Sequence, residues 1–571
     1  MKANLRSFVH QHLPITEWLP KYSVKDAVSD IVGGLTVGIV MVPQAIAFAD
    51  LAGLGPQYGL YSAWVNGLIH AVFGTTKEMS IGPTAVHSLL VFTYTHHLNA
   101  DMAVFLCFAS GCVLFLIGLF QLSFLVEFVS IPVISAFTTA SALLLIATQL
   151  KGLFGLNYVS DTFVDSLLTF GSHISETRLW DIVLGATSIV ILLALETLKC
   201  VDLSSGRENK SFKNRFINGT IWIIMIGRSG MVMFVAFIMA IVLHNNGETP
   251  FLFMDRIGSG LPTLRWPPTS TVVNGRQLDL LDMIRELWSG VAVITILTTV
   301  SSVAVAKTFS KGRGVDSNQE TIAVGLCNIL GSFAQSMPVA ASVSRTGVAK
   351  TSGISSPLAG LHTSLVVIFS ISFLASYFYY IPRSSISAVL IVSSIYMIDT
   401  RIIRKMWLLN KKDLLPYTVT VVVGLTFGVE KGIIFGILLD NLILLYFTAR
   451  PEVHLHAVGS GTVHWVLQPR GPLMYPAANH VWDTVARLST VDKDRRAVVL
   501  DCDYICHTDY TAAQGLNNTI KNAKAQGLMV VLLNADDRTI KSLCIDDKQV
   551  RVATSRQHLS QILAEVPTLS K

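Results

Sequence analysis

The chain has 571 residues, 51% of them hydrophobic and only 14% charged, with a formal net charge of +6. That balance excludes an ordinary soluble protein of this size and points to a membrane. The basic residues sit in short clusters between apolar runs, as in cytosolic loops, so the positive charge is not a nucleic-acid footprint.

Residues 1–29 hold no long apolar stretch and no small-residue cleavage site, which predicts a cytosolic N-terminal segment followed by an uncleaved first span. Runs long enough for spanning helices follow at 31–49, 57–74, 102–122, 126–150, 181–198 and 221–243. After a polar stretch at 244–283 come 286–306, 319–335, 356–376, 385–399, 414–428 and 432–449. Two shorter apolar segments, GPTAVHSLL at 82–90 and MPVAASVSRTGV at 337–348, each carry a proline near the start and occupy matching places in the two halves. Counting these, we expect about fourteen elements, seven on each side of the polar stretch. An even number puts both termini on one side. Lys21 and Lys25, Lys199 to Arg215, Lys307 to Arg313, and Arg401 to Lys412 make that side the cytoplasm.

The predicted transmembrane domain spans 30–449, with repeat one at about 30–243 and repeat two at about 284–449. Beyond Arg450-Pro451, strand-length runs at 464–468, 497–501 and 528–533 alternate with helical patterns at 476–488, 511–526 and 555–565. This reads as a cytosolic α/β domain over 450–571. Seven scattered cysteines predict free thiols, not a disulfide framework, and Cys502 and Cys506 are too isolated from other soft ligands for zinc. The sequons at Asn209, Asn218 and Asn517 fall on the cytosolic side and read as chance matches. No metal or other cofactor is expected. Nothing resembles a Walker loop or nucleophile elbow, so an enzyme is not expected either.

Half-length helices in matching places of two repeats point to a transporter binding site, because their N-terminal N–H groups and dipole ends can meet a ligand inside the membrane. Arg345 lies in the second segment, and an arginine at that depth costs roughly 3 kcal/mol unless it faces a cavity or a partner. A cation beside two positive helix ends selects an anion. Ser344 offers a hydroxyl to the same ligand or a helix cap. On the first span Gln44 follows Pro43, and Phe48 lies one turn further on the same face. An amide donor and an aromatic edge can hold a poorly hydrated anion without trapping it. The alternative reading is that Gln44 only satisfies the backbone group freed by Pro43.

The runs PQAIAFA at 43–49, PQYGLYSA at 56–63, GPTA at 82–85, SVAVAKTF at 302–309, DSNQE and GLCNILGS within 316–332 and SRT at 344–346 resemble the sulfate permease family. The GLP at 260–262, the prolines at 267 and 268 and the short C-terminus are similar to its animal sodium-independent sulfate anion branch. The resemblance implies two inverted seven-span repeats forming core and gate domains, a C-terminal STAS domain, an elevator-like mechanism and a homodimer to which STAS contributes. Its implied partners are small inorganic anions of the sulfate, chloride, bicarbonate and oxalate class, in a plasma membrane or a lysosomal or other endomembrane. It places the anion at Gln44, Phe48, the backbone of Thr84 and Ala85, and Ser344 with Arg345. A channel-like chloride path, or an anion- or voltage-sensing scaffold, are the alternatives.

Two departures bear on coupling. Many sulfate-carrying members have a glutamate where this chain has Ser301, which speaks against sulfate–proton symport and for electroneutral exchange or monovalent anions. His87 stands where apolar residues are usual, either as a pH-sensing pocket group or as a neutral hydrogen-bonded link between helices. In the cytosolic domain, Asp509 and Thr511 resemble the loop that is phosphorylated in bacterial anti-sigma antagonists, and either could equally be a plain helix cap.

Overall fold

The computed structural model describes residues 13–158, 162–197, 212–246, 250–253, 260–273, 275–310, 315–458, 464–469, 473–491, 497–503, 505, 508–525, 528–535 and 551–564, and the structural statements below concern these residues. Cys200, Cys506, Cys544 and the sequon Asn209 lie outside them. Two compact units divide at Ile437 and Leu438.

The first unit is helical. Its first half contains α1 (Val24–Leu51), α2 (Pro56–Phe73), β1 (Ile81–Gly82), α3 (Ala85–Thr95), α4 (Ala100–Leu119), α5 (Ile131–Leu153), α6 (Phe163–His173), α7 (Leu179–Thr197) and α8 (Phe212–Asn245). A hairpin of β2 (Ser270–Val273) and β3 (Arg276–Asp279) leads into α9 (Leu280–Phe309), α10 (Ser317–Phe333), β4 (Ala340–Ala341), α11 (Val343–Thr351) and α12 (Ala359–Phe369). The series ends with α13 (Arg383–Ile395), α14 (Thr400–Leu409), α15 (Leu414–Phe427) and α16 (Val429–Ala449), the last of which crosses the division between units.

Seven helices among the described residues are long and apolar enough to cross a membrane, with shorter apolar helices at 85–95, 179–195 and 359–374. The two broken segments become α3, of 11 residues, and α11, of 9. At about 1.5 Å per residue neither reaches much more than half of a bilayer core of about 30 Å. The expected run at 126–150 starts later, at Ile131, because Pro132 fits the first helical turn and Leu122–Phe128 winds as a tighter 3₁₀ segment. The hairpin inside the polar stretch, α6 and α14 were not anticipated. All three are short and only partly apolar, and a search for spanning runs passes over them.

The packing partners repeat when the halves are exchanged. Helix α4 packs on α10 as α12 packs on α2; α1 packs on α12 as α9 packs on α4; α5 packs on α15 as α13 packs on α7. Glycine sets the α4–α10 and α2–α12 crossings. A Cβ on Gly325 would lie 2.7 Å from the Phe115 backbone N, and one on Gly360 would lie 2.6 Å from the Gly67 carbonyl oxygen. At the centre, β1 pairs antiparallel with β4, Ile81 opposite Ala341 and Gly82 opposite Ala340, so one strand from each repeat forms the joint.

Two buried carboxylates brace the loops beside this joint. Asp30 accepts hydrogen bonds from the N–H groups of Ser355 (2.8 Å) and Ser356 (3.0 Å) and from the Ser356 hydroxyl (2.5 Å). Glu320 accepts from the Thr75 N–H (3.0 Å) and hydroxyl (2.5 Å), from the Thr76 N–H (2.6 Å), and pairs with His70 Nε2 at 3.3 Å. Each loop leads into or out of a half-helix, and a carboxylate with this many donors avoids the penalty of a bare buried charge.

The second unit carries a five-stranded sheet in the order β5 (Val453–Val458), β6 (His464–Pro469), β7 (Ala497–Asp501), β8 (Met529–Leu533) and β9 (Arg551–Ala553). Only the β5–β6 pair is antiparallel. Helices α17 (Tyr475–Val491), α18 (Tyr510–Ala525) and α19 (Arg556–Ala564) complete it. The three expected strands and three expected helices are present, while β5 and β9 were missed because one is largely exposed and the other has three residues. Cys107, Cys112, Cys327 and Cys502 are free thiols.

Gly360→Ala should destabilise the protein by about 2 kcal/mol, since backbone on backbone cannot relax without separating α2 from α12. Gly171→Ala, in α6 with nothing within 4 Å, is the control and should be neutral or slightly stabilising. Thermal unfolding of the two variants in the same detergent checks this, and equal melting temperatures would refute the tight crossing.

Candidate functional site

Antiparallel pairing of β1 with β4 sends α3 away from one end of the strand pair and α11 from the other, so their N-termini face each other across it. The Ser342 N–H donates to the Ser80 carbonyl at 3.0 Å, and the Ser80 N–H donates to the Thr346 hydroxyl at 3.2 Å. These bonds lock the start of α11 to the strand of the other repeat.

Arg345 lies three residues into this locked start and is 1% exposed. Its Nη1 donates to Gln44 Oε1 at 3.2 Å. Its Nε and Nη2 are buried and make no hydrogen bond among the described residues. Gly82 leaves room for the guanidinium, because a Cβ there would lie 3.3 Å from Nη2. No described carboxylate forms an ion pair with it. A buried guanidinium with open donors calls for an acceptor, and without a resident carboxylate that acceptor can be a mobile anion.

The two helix starts differ. Ser342 caps α11, its hydroxyl accepting from the Arg345 N–H at 3.5 Å, whereas α3 has no side-chain cap. Thr84 occupies the capping position of α3, but its hydroxyl lies 2.8 Å from His87 Nδ1. His87 Nε2 lies 2.9 Å from the Thr298 hydroxyl on α9. Thr84 is thereby diverted, and the first N–H groups of α3 stay open to a ligand.

Gln44 and Arg345 are therefore in contact, and Thr84 and Ala85 open the facing half-helix. Phe48, 9% exposed, packs in the apolar cluster that holds Ala85 and Leu89. Ser344 is exposed, and its hydroxyl meets Ser342 Oγ at 3.2 Å, away from the guanidinium bond to Gln44. Ser301 donates to the Thr298 carbonyl at 3.2 Å on its own helix. His87 is buried with a hydroxyl on each ring nitrogen, the arrangement of a link between helices. Asp509 caps α18 by accepting from the Ala512 N–H at 2.8 Å and also takes the Tyr475 N–H at 2.8 Å, while Thr511 is exposed.

Thr298, Ser342, Asp30 and Glu320 were not singled out from the sequence. Ser342 was legible as a candidate N-cap, being a serine immediately before the short helical segment. Thr298 was not, because it meets His87 only through tertiary packing.

Residues 28–420 match the sulfate permease family and residues 455–545 the STAS domain. The chain belongs to the sulfate permease family. This sulfate permease family member is thus an integral multi-pass membrane transporter of anions and not an enzyme, with a C-terminal STAS domain. It is 34% identical over 537 residues to the sodium-independent sulfate anion transporter of Bos taurus, covering 94% of this chain and 88% of that one. Solute carrier family 26 member 6 of Homo sapiens is 27% identical over 480 residues, covering 79% of this chain and 59% of the relative. Among solved structures, SLC26A9 matches with a TM-score of 0.85 at 20% identity, covering 99% of this chain and 94% of that one. The transmembrane domain of a cyanobacterium bicarbonate transporter, BicA, matches at 0.56 and 20% identity, covering 74% and 98%.

His87→Ala should release the Thr84 hydroxyl to cap α3 and weaken apparent anion affinity about 5-fold, an N-cap bond being worth about 1 kcal/mol. Adding Thr84→Ala should restore most of that loss. Substrate-concentration curves for the single and double variants measure it, and an unrecovered double variant rules the diversion out.

Proposed function

We propose that this protein is a sodium-independent exchanger of small inorganic anions, of the sulfate, chloride, bicarbonate and oxalate class, working by alternating access with an elevator-like core. The observation that carries this is the buried Arg345 guanidinium, whose Nε and Nη2 have no partner among the described residues, beside an uncapped helix start. Gln44, Thr84, Ala85 and Arg345 bind the anion in this reading, Phe48 forms the apolar wall and Ser344 borders the entrance. One fixed cation with neutral donors gives attraction without a trap. The name of the Bos taurus relative supports sodium independence.

The protein is a homodimer with both termini in the cytosol, in a plasma membrane or an endomembrane of the lysosomal kind. Basic clusters on one side of the spans support that orientation. Ser301, with its hydroxyl turned to its own helix backbone, supplies no carboxylate for carrying a proton with sulfate, so the exchange is electroneutral or favours monovalent anions. A regulatory role in the STAS domain falls to the exposed Thr511, since both oxygens of Asp509 are occupied by backbone N–H groups.

Purified protein in liposomes tests the reading, with internal and external sulfate, chloride, bicarbonate and oxalate varied singly. Arg345→Gln should abolish exchange while leaving the melting temperature close to that of the parent, and unchanged affinity and selectivity would overturn the site. Sulfate uptake should not be steeply stimulated by external acid. Steep stimulation that persists in Ser301→Ala would overturn the assignment against proton symport.

A further inference from the structure

Helix α14 and the turn after it join α13 to α15 and carry side chains the anion site does not use. Arg401, Arg404 and Lys405 are spaced i, i+3, i+4 on one side, and all three are exposed. None forms an ion pair with a described carboxylate. The neighbouring aspartates are occupied: Asp399 caps α14 by accepting from the Arg401 N–H at 3.0 Å, and Asp413 accepts from the Asn410 side-chain amide at 2.9 Å.

The next side is apolar and open. Ile403 is 39% exposed and Trp407 is 59% exposed, with the Lys411 ammonium 5.1 Å from the indole centroid. The remaining side is fixed, because Met406 is buried against Ala136 of α5 and Tyr417 of α15. A helix with one docked face, one open apolar face and one basic face that also carries the exposed Leu408, tethered at both ends to membrane helices, fits the boundary where headgroups meet acyl chains.

We propose that α14 is an interfacial helix that binds the anionic phospholipid headgroups of the cytosolic leaflet, with Arg401, Arg404 and Lys405 on the phosphates and Ile403 and Trp407 in the acyl boundary. Arginine forks suit phosphate oxygens bidentately, and each basic side chain near such a surface adds attraction. Through Met406 the bound lipid steadies α5 and α15, so anion exchange depends on anionic lipid. The inference rests on the proposed orientation, which puts this face in the cytosol.

The full chain is reconstituted in vesicles of phosphatidylcholine alone and in a roughly four-to-one mixture with phosphatidylserine, the lipid class that charges the cytosolic leaflet. Exchange should be several-fold faster in the mixture. The variant R401Q/R404Q/K405Q should run at the lower rate in both and retain phosphatidylserine through purification about 100-fold more weakly. R401K/R404K keeps the charge and should keep most of the lipid dependence, and inorganic phosphate added to pure phosphatidylcholine vesicles should not substitute. Equal lipid dependence in the parent and the triple variant, or none in the parent, overturns the proposal. A membrane-impermeant thiol label on Lys411→Cys separates the orientation from the lipid site. Labelling from outside intact cells, with lipid dependence retained, would overturn the orientation and with it the cytosolic leaflet, and would leave the basic side chains as the anionic-lipid site.

Discussion

The structure turns on one desolvated cation held in place by neutral groups. Arg345 donates once to Gln44 and keeps Nε and Nη2 without a partner among the described residues, at a cost of several kcal/mol that packing alone does not repay. A resident carboxylate would remove the cost and also the proposed function of Arg345, because a fixed counter-ion would outcompete a substrate anion for the same donors. The β1–β4 pair makes the open state tolerable by locking α11 to the opposite repeat, so the guanidinium cannot swing out to water.

Around that cation the hydroxyls divide the labour. Ser342 satisfies the start of α11, which already carries a full positive charge in Arg345. Thr84 is turned to His87 and leaves the start of α3 open, so the two helix ends offer different things: a charge on one side and bare N–H groups on the other. His87 holds this arrangement through Thr298 on α9, which ties the uncapped end to a helix of the other repeat. In the proposed site, binding strength is thereby spread over several modest interactions, the condition for an anion to enter and also to leave.

Much of this was legible in the sequence because membrane physics restricts the choices. Spanning helices, the two half-length segments and the alternating strand and helix lengths of the C-terminal domain all follow from run length and composition. Gln44 and Arg345 could be paired in advance because each is out of place in an apolar segment. Ser344 and Ser342 could not be told apart as cap and ligand from the sequence; Ser342 takes the cap, and Ser344 is exposed. Glu320 and Asp30 could not be assigned roles, since their partners lie more than two hundred residues away and nothing local marks a carboxylate as a loop brace. Helix α14 stayed hidden because its residues count as positive loop charge until a fold shows one face docked.

The close crossings constrain how such a site can change its exposure. The proposed anion site draws Gln44 and Thr84 from repeat one and Arg345 from repeat two, and those repeats are pinned by backbone contacts at Gly360 and Gly325 that have no slack. Packed interfaces of this kind are bistable at best and do not stretch, so opening the site by pulling α3 from α11 would break them first. The proposed elevator-like motion meets this constraint, since it moves the assembled core as a body against α5, α7, α13, α15 and α16. The contacts that must yield are side-chain contacts between those groups. A single hydrogen bond is worth about 1 kcal/mol net, small enough to be made and broken within a transport cycle while the anion's own contacts stay intact.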